Sequence, residues 1–247
     1  LSNDVTSIAL GDKATLVYDD YKGSAALYSY FGRLVYDFNG KYGLNVTMRA
    51  DGSSKFAEGQ KWGYFPATAV SWKLSNESFM EGTKKYIDNV KIRAGYGETG
   101  NQNIGGGAYL SNIRKLGTFE GNGFLADNIS NPELTWETSK QVNLGIDFTL
   151  FNSKLSSSVD VYRKKSEGFL YRLPLPMYLT GLESYQGGIN APMSNVGSME
   201  NKGIDVSVTY TNKFGNDFTW SSTLIFSKYS NKLLEITNGL NLQREAT

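Results

Sequence analysis

The segment YGLNVTMRAD, from Tyr42 to Asp51, alternates between apolar side chains and polar or small ones. Leu44 and Met48 fall on one face of an extended chain, and Thr47 and Arg49 fall on the other. This alternation predicts a β-strand and leaves two interpretations of its faces. A strand of a soluble sandwich buries its apolar face in a core and leaves its polar face to water. A strand of an outer-membrane barrel turns its apolar face to lipid and its charged face to a wet lumen.

The composition excludes several kinds of functional site. The 247 residues include no Cys and no His, which excludes disulfides, thiol catalysis, His-ligated metals and Ser-His-Asp triads. Lys and Arg total 25 against 24 Asp and Glu, so the chain lacks the basic surface that nucleic-acid binding requires. The chain has no run of about 18 apolar residues, so no transmembrane helix is predicted. We expect neither a cofactor nor a metal.

Similar alternation recurs along the chain and predicts about eight strands. Gly, Tyr and Phe are abundant and Pro is scarce, as in proteins with many strands and tight turns. Helix content should be low, with one short candidate that Ser75 or Asn76 would cap and Gly82 would end. The predicted strands are Tyr28–Asp37, Tyr42–Asp51, Gly63–Leu74, Asn89–Thr99, Trp136–Leu150, Leu155–Leu173, Gly203–Asn212 and Phe218–Lys228.

Short and long connections alternate between these strands. The short ones are Asn39–Lys41, Asn152–Lys154 and Asn212–Asp217, and the long ones are Gly52–Trp62, Gly100–Thr135 and roughly Pro174–Lys202. The connection around Phe79 is too long for a plain turn, so we expect the short helix there. An up-and-down transmembrane barrel has this alternation, with short periplasmic turns and long outer loops. The sequence therefore predicts an all-β, antiparallel up-and-down transmembrane β-barrel.

Charged residues of both signs lie on the polar faces of the predicted strands. At a lipid-facing position in mid-bilayer an Arg would cost roughly 2–4 kcal/mol, whereas a wet lumen lets charges pair or stay hydrated. We therefore expect Arg49 to point into a lumen, oriented by a charge-assisted pair with Asp51. The predicted lumen-facing charges are Arg33, Arg49, Lys91, Arg93, Asp147, Asp160 and Asp205.

Five stretches of the chain carry a more specific signal. They are SYFGRLVYDFNGKYGLNVTMRADGSSKF, WGYFPATAVSWKLSNESFM, VKIRAGYGETGNQN, NPELTWETSKQVNLGIDFTLFNSKLSSSVDVYRKKSEGFLY and NVGSMENKGIDVSV. In this order and spacing they resemble the later barrel portion of the SusC/RagA family of TonB-dependent outer-membrane transporters. The resemblance extends from about Ser29 to Tyr229, and the loops Gly100–Thr135 and Leu175–Asn195 match least.

The resemblance implies a fold that this chain would form only in part. Members of the family form one barrel of about 22 strands with a plug inside it, so about eight strands would be a fragment of such a barrel. We expect residues 1–247 to be part of a single barrel domain, without the plug and the N-terminal domains. The barrel would be integral to the cell outer membrane, in contact with its lipid and lipopolysaccharide.

The resemblance also implies a function and partners. Members of the family actively import nutrients such as oligosaccharides or peptides, driven by the TonB complex, which would act through an N-terminal part missing from this sequence. A SusD-like surface lipoprotein would cap the barrel as a hinged lid. No enzymatic activity and no catalytic residue are implied.

Aromatic residues fall into two groups. Those near strand ends are typical of membrane-interface girdles, and they are Tyr42, Tyr64, Trp72, Tyr96, Trp136 and Phe151. Those in the long loops can stack on a sugar or pack the loop itself, and these candidates for ligand binding are Tyr109, Phe119, Phe124, Tyr178 and Tyr185.

Two alternative functions stay open at this point. A passive porin or a surface adhesin built on a barrel would lack an upstream plug and TonB-binding segment. A soluble carbohydrate-binding β-sandwich would fold in water without detergent, whereas a barrel would aggregate there because its apolar faces need lipid.

Overall fold

The computed structural model describes residues 25–118, 121–172, 178, 188–215 and 217–236. The strands are β1 (Leu27–Phe38), β2 (Tyr42–Ser53), β3 (Trp62–Lys73), β4 (Ile87–Asn101), β5 (Ile113–Thr118), β6 (Gly121–Ala126), β7 (Glu137–Leu150), β8 (Leu155–Arg172), β9 (Met193–Phe214) and β10 (Phe218–Glu235). Eight of them form one antiparallel sheet in the order β1-β2-β3-β4-β7-β8-β9-β10. The remaining two, β5 and β6, form a separate hairpin in the connection between β4 and β7.

All eight predicted strands are present in the large sheet, in the predicted up-and-down order. The largest difference is in β9, which begins at Met193 rather than at Gly203 and pairs with β8 over its whole extra length. Charged residues interrupt the apolar alternation in this extra length. Glu200 and Lys202 point to the same face of β9 as Ile204 and Val206, where hydrophobic side chains continue the pattern. Main-chain hydrogen bonds continue the strand without that pattern.

Two short 3₁₀ helices, Leu74–Asn76 and Ser78–Thr83, occupy the connection in which a helix was expected. The predicted caps are wrong, since neither helix has a side-chain cap. Ser75 Oγ instead donates to Asn89 Oδ1 at 3.3 Å, and Asn76 Nδ2 donates to the Gly40 carbonyl at 2.8 Å. These side chains fasten the connection to β4 and to the neighbouring turn. Within the described residues no helix is both long enough and apolar enough to cross a membrane.

The predicted short turns have the backbone geometry that tight hairpins require. Asn39 and Gly40 both have positive φ, 54° and 62°, as a type I′ turn demands. The Gly40 N–H donates to Asp37 Oδ1 at 2.8 Å, which adds a side-chain bond to the turn. Phe151, Asn152 and Ser153 likewise have positive φ in the turn between β7 and β8.

The register of the sheet decides which side chains share a face, because residues directly opposite each other in an antiparallel pair point the same way. Arg49 lies opposite Phe65, and Asp147 lies opposite both Lys91 and Ser158. These pairs, followed across the sheet, put all seven predicted charges on one face, here called the polar face. They are Arg33, Arg49, Lys91, Arg93, Asp147, Asp160 and Asp205.

The opposite side of the sheet, here called the apolar face, carries the hydrophobic half of each alternation. Its residues include Leu44, Val46, Val70, Leu144, Ile146, Val159, Val161, Leu224 and Phe226. Leu224 is 75% exposed and Leu144 is 56% exposed. A continuous surface of this kind is unfavourable in water and is the surface that a barrel presents to lipid.

Aromatic side chains gather at the short-turn end of the apolar face. The rings of Tyr42 and Trp72 stack with centroids 6.3 Å apart. Those of Tyr210 and Trp220 meet edge to face at 6.0 Å. This end therefore has the aromatic girdle that marks a membrane–water interface.

A small hydrophobic core lies at the other end of the sheet, beneath the long connections. Phe56 and Leu134 are fully buried in it. The ring of Trp136 lies 5.3 Å from that of Phe56 and 5.5 Å from that of Phe65, and its Nε1 donates to the Lys61 carbonyl. The prediction that Trp136 belongs to the girdle is therefore wrong, because the loops cover it. This loop core consists of Phe56, Phe65, Ile104, Leu134 and Trp136.

Candidate functional site

A trough runs across the polar face, with a cavity volume of about 770 Å³. Small residues form its floor: Ala67 and Ala69 of β3 lie opposite Gly97 and Gly95 of β4, and Gly145 of β7 follows on the next strand. Because these side chains are short or absent, a ligand in the trough could approach the backbone of the sheet closely.

Amide and hydroxyl groups line the sides of the trough. Such groups donate and accept hydrogen bonds, so they suit a ligand rich in peptide or hydroxyl groups. Lys91 and Lys164 add positive charge, and in the part of the chain that the structure describes neither forms an ion pair. The amide and hydroxyl residues are Asn45, Thr47, Thr99, Ser139, Gln141 and Asn143.

Three of the predicted charges form one network in the wall of the trough. Arg93 donates from Nε and Nη2 to the two carboxylate oxygens of Asp147, at 2.7 and 2.8 Å. Its Nη2 also donates to Asp160 Oδ2 at 3.1 Å. Bidentate Arg–carboxylate geometry fixes the orientation of both groups. Gly145 makes room for the network, since a Cβ there would lie 2.4 Å from Asp160 Oδ1.

Of the other predicted charges, Arg33, Arg49 and Asp205 make local contacts on the same face. Arg49 Nε donates to Asp51 at 2.7 Å, which is the expected pair, although Arg49 is half-exposed. Arg33 Nε donates to Asn45 Oδ1 at 3.0 Å, and Ser227 donates to Asp205 Oδ1. These contacts orient the side chains, and the shared face agrees with a common lumen-facing role, which stays a prediction.

Three of the loop aromatics that were candidates for ligand binding lie within the described residues. Tyr109 is half-buried and packs against the loop core. Phe124, on the β5–β6 hairpin, is 74% exposed, and Tyr178 is 84% exposed. Phe119 and Tyr185 lie outside the described residues. Tyr109 therefore has a packing role in the loop, while Phe124 and Tyr178 have free ring surfaces.

A second polar cluster lies at the short-turn end, centred on Glu77. Its carboxylate accepts hydrogen bonds from Lys41 Nζ at 2.9 Å, from the Tyr42 hydroxyl at 2.8 Å and from Trp72 Nε1 at 3.0 Å. The bond from Lys41, followed by those from Trp72 and Tyr42, lowers the pKa of the Glu77 carboxyl from 4.5 to about 2. The cluster ties the 3₁₀ connection to the girdle and to the first turn.

Reasoning from the sequence missed several residues of the trough. Gln141 and Asn143 stand at polar positions of the clearest alternation in the chain, so their face was predictable. Lys164 is likewise on the polar side of β8. That Gln141, Asn143 and Lys164 line the same trough as Ala67 and Gly97 was not predictable. It depends on the order and register of four strands.

The profile of the family described as "TonB dependent receptor-like, beta-barrel" matches residues 2–244 of the chain. The chain belongs to the TonB-dependent receptor family. It is 35% identical over 236 residues to TonB-dependent receptor P3 of Formosa agariphila, a match that covers 94% of this chain and 23% of the relative. It is 31% identical over 228 residues to TonB-dependent receptor SusC of Bacteroides thetaiotaomicron, covering 89% of this chain and 22% of SusC.

The fold is similar to that of a solved peptide importer. The RagAB peptide importer in its "closed-closed" state superposes with a TM-score of 0.79 at 25% identity, over 97% of this chain and 26% of that one. The chain thus spans about a quarter of the length of these relatives.

These comparisons confirm the resemblance to SusC and RagA, the antiparallel barrel fold and the location in the outer membrane. The eight-stranded sheet is consistent with part of a larger TonB-dependent receptor barrel. The family is one of receptors and transporters rather than of enzymes.

Proposed function

We propose that this chain forms part of the barrel wall of a TonB-dependent importer with about 22 strands. The observation that carries the proposal is the two-faced sheet, in a chain similar to SusC and to a RagAB peptide importer over most of its length. Residues 1–247 would belong to a single barrel domain, and other parts of the receptor would supply the plug and the segment that contacts the TonB complex.

The imported nutrient would be an oligosaccharide or a peptide. The amides and hydroxyls of the trough fit both classes, because both present many donors and acceptors. The Arg93 network would hold charge at fixed positions in the lumen, and Lys91 and Lys164 would stay available to polar groups of the plug or the substrate. The proposed import requires none of these residues to make or break a covalent bond.

A SusD-like lipoprotein would cover the long-loop end as a lid. Exposed rings there, Phe124 and Tyr178, are available to a lid or to a substrate, and Ile113 beside Phe124 on the hairpin is 74% exposed. Phe119 and Tyr185 stay candidates for the same role. Tyr109 would act indirectly, by holding its loop against the loop core.

The first test is purification of the intact receptor from outer membranes in mild detergent, followed by mass spectrometry of the proteins that accompany it. A surface lipoprotein at near-equal amounts supports the lidded importer. A receptor that purifies alone, even after cross-linking, would argue for a lidless receptor or a porin.

Uptake measurements distinguish active import from passive diffusion through a porin. Loss of the TonB complex should abolish uptake of the nutrient through the receptor while the barrel stays in the membrane. Uptake that continues unchanged without the TonB complex would indicate a passive porin.

A further inference from the structure

The apolar face ends at the long-loop side in a belt of positive charge. On β8, Val161 is followed on the same face by Arg163 and Lys165. On β9, Ile204 is likewise preceded by Lys202, which lies opposite Arg163. The basic belt, as we call these residues and their neighbours on the face, consists of Lys140, Arg163, Lys165, Lys202, Lys228 and Lys232.

The belt lies about one hydrocarbon thickness from the aromatic girdle. Tyr210 of the girdle and Lys202 of the belt are eight residues apart on β9, which is about 26 Å along a strand. A strand tilt of roughly 35–45° reduces this to about 20 Å along the membrane normal, close to the apolar band of about 25 Å in outer-membrane barrels. With the long loops on the outer side of the proposed barrel, the belt would lie near the head-group level of the outer leaflet.

Acids in the same region neutralise the belt only in part. Glu167 pairs with Lys140 at 3.3 Å and with Lys165 at 2.6 Å. Glu200 is shared between Arg163 and, at 3.9 Å, Lys202. Among the described residues of this region, the other acids on the face are Glu98, which accepts from the Tyr96 hydroxyl, and Glu235.

The cations outnumber the acids and are accessible. The side chains of Arg163 and Lys202 are 69% and 65% exposed although both lie near Glu200. Lys228 is exposed, and among the described residues neither it nor Lys232 forms an ion pair. Three adjacent strands thus present N–H donors beside the apolar band.

We propose that the basic belt binds the phosphate groups of phosphorylated lipids in the outer leaflet. The inference rests on the proposed barrel, since it needs the apolar face to be in lipid. Cations at a membrane surface attract anionic head groups, and their N–H groups form charge-assisted hydrogen bonds with phosphate oxygens. The acyl chains of the same lipid would cover Val161, Ile204 and Phe226. One lipid molecule would therefore contact both the basic belt and the apolar residues next to it.

The test uses the intact receptor in detergent with diphosphorylated lipid A as the probe, and native mass spectrometry to measure lipid retention. The test variant is K202Q/K228Q/K232Q, which keeps Arg163 and therefore leaves Glu200 paired. The control variant, K84Q/K154Q/K213Q, removes the same charge from exposed residues at the short-turn side. Heat-dependent migration on gels checks that each variant is folded.

The test variant should bind lipid A roughly a hundredfold more weakly than the wild type or the control, since each Lys removed weakens binding about fivefold. Equal retention by the test variant and the wild type, or equal loss in both variants, would overturn the proposal. Displacement of the lipid by excess inorganic phosphate alone would also overturn it, because it would indicate a general anion site. Nutrient uptake by the same proteins reports separately on the proposed import, since lipid retention needs neither substrate nor TonB.

Discussion

Gly145 shows how a missing side chain supports the charges of the polar face. A Cβ at this position would lie 2.4 Å from Asp160 Oδ1 and 2.8 Å from Arg93 Nη2. Gly145→Ala should therefore displace the ends of the Arg93 and Asp160 side chains and lower the free energy of unfolding by about 1 kcal/mol, because these ends are partly exposed and can move. The measurement is urea unfolding of the receptor in lipid vesicles, followed by tryptophan fluorescence.

Gly32→Ala is the matched control for this substitution. Gly32 is also in a strand of the sheet, and a Cβ there would meet nothing within 4 Å. Its unfolding free energy should stay within about 0.5 kcal/mol of the wild type. A similar loss for both variants would show that strand glycines matter in general and that the Arg93 network does not explain the effect.

Glu77 gives the structure a dependence on pH at the short-turn end. Its pKa is lowered from 4.5 to about 2 in the folded protein, so its contribution to stability is present above pH 4.5 and is lost as the pH falls toward 2. Glu77→Gln should therefore be less stable than the wild type at pH 7, and the difference should shrink below pH 4.5. Unfolding curves across this range measure it; a difference independent of pH would contradict the role of the charge.

Residue pairs differ in how far the sequence predicts them. Arg49 and Asp51 are two positions apart on one strand, so they share a face whatever the fold, and the pair was predicted. Arg93 lies 54 positions from Asp147 and 67 from Asp160. Their network depends on strand register, which no local pattern contains.

At the scale of elements, alternation predicted the strands of the large sheet where apolar and polar residues alternate, and it missed segments without that pattern. β9 extends ten residues beyond its predicted start, into a region where Glu200 and Lys202 break the apolar pattern. The β5–β6 hairpin lies in a connection predicted as a loop. Neither segment has a regular alternation of apolar and polar residues, so the signal used to find strands is weak there.

The loop core should control the order of the connection between β4 and β7. Leu134 is fully buried, and Leu→Ala at such positions costs about 2–5 kcal/mol. Leu134→Ala should therefore speed amide exchange in this connection, for example at Asn131, whose N–H donates to the Tyr109 carbonyl. Amides within β7 should exchange as in the wild type.

Leu110→Ala is the control for the loop core. Leu110 belongs to the same connection but is 48% exposed, so its truncation should change exchange little. If both variants exchanged alike, the connection would be held by its hydrogen bonds, such as those of the buried Asn128 with Leu110 and Ile129, rather than by apolar packing.

At the scale of the whole molecule, the two faces of the sheet relate the fold to the membrane. The seven predicted charges share the polar face, and the apolar face runs from the aromatic girdle to the basic belt. Alternation alone predicted which residues share a face. Alternation could not decide whether the apolar face contacts lipid or a protein core, because a single strand is compatible with both. Loop lengths and the family resemblance favoured lipid.

Adjacent residues of β8 test this orientation directly. Val159 lies on the apolar face, opposite Ile146 and Val206 and about midway between girdle and belt, while Ser158 lies on the polar face opposite Asp147. Val159→Arg should lower the free energy of unfolding in lipid vesicles by roughly 2–4 kcal/mol, because it puts a charge at mid-bilayer. Ser158→Arg should cost much less, since it can reach Asp147 and lumenal water. Equal costs for the two variants would mean that the sheet does not separate lipid from lumen.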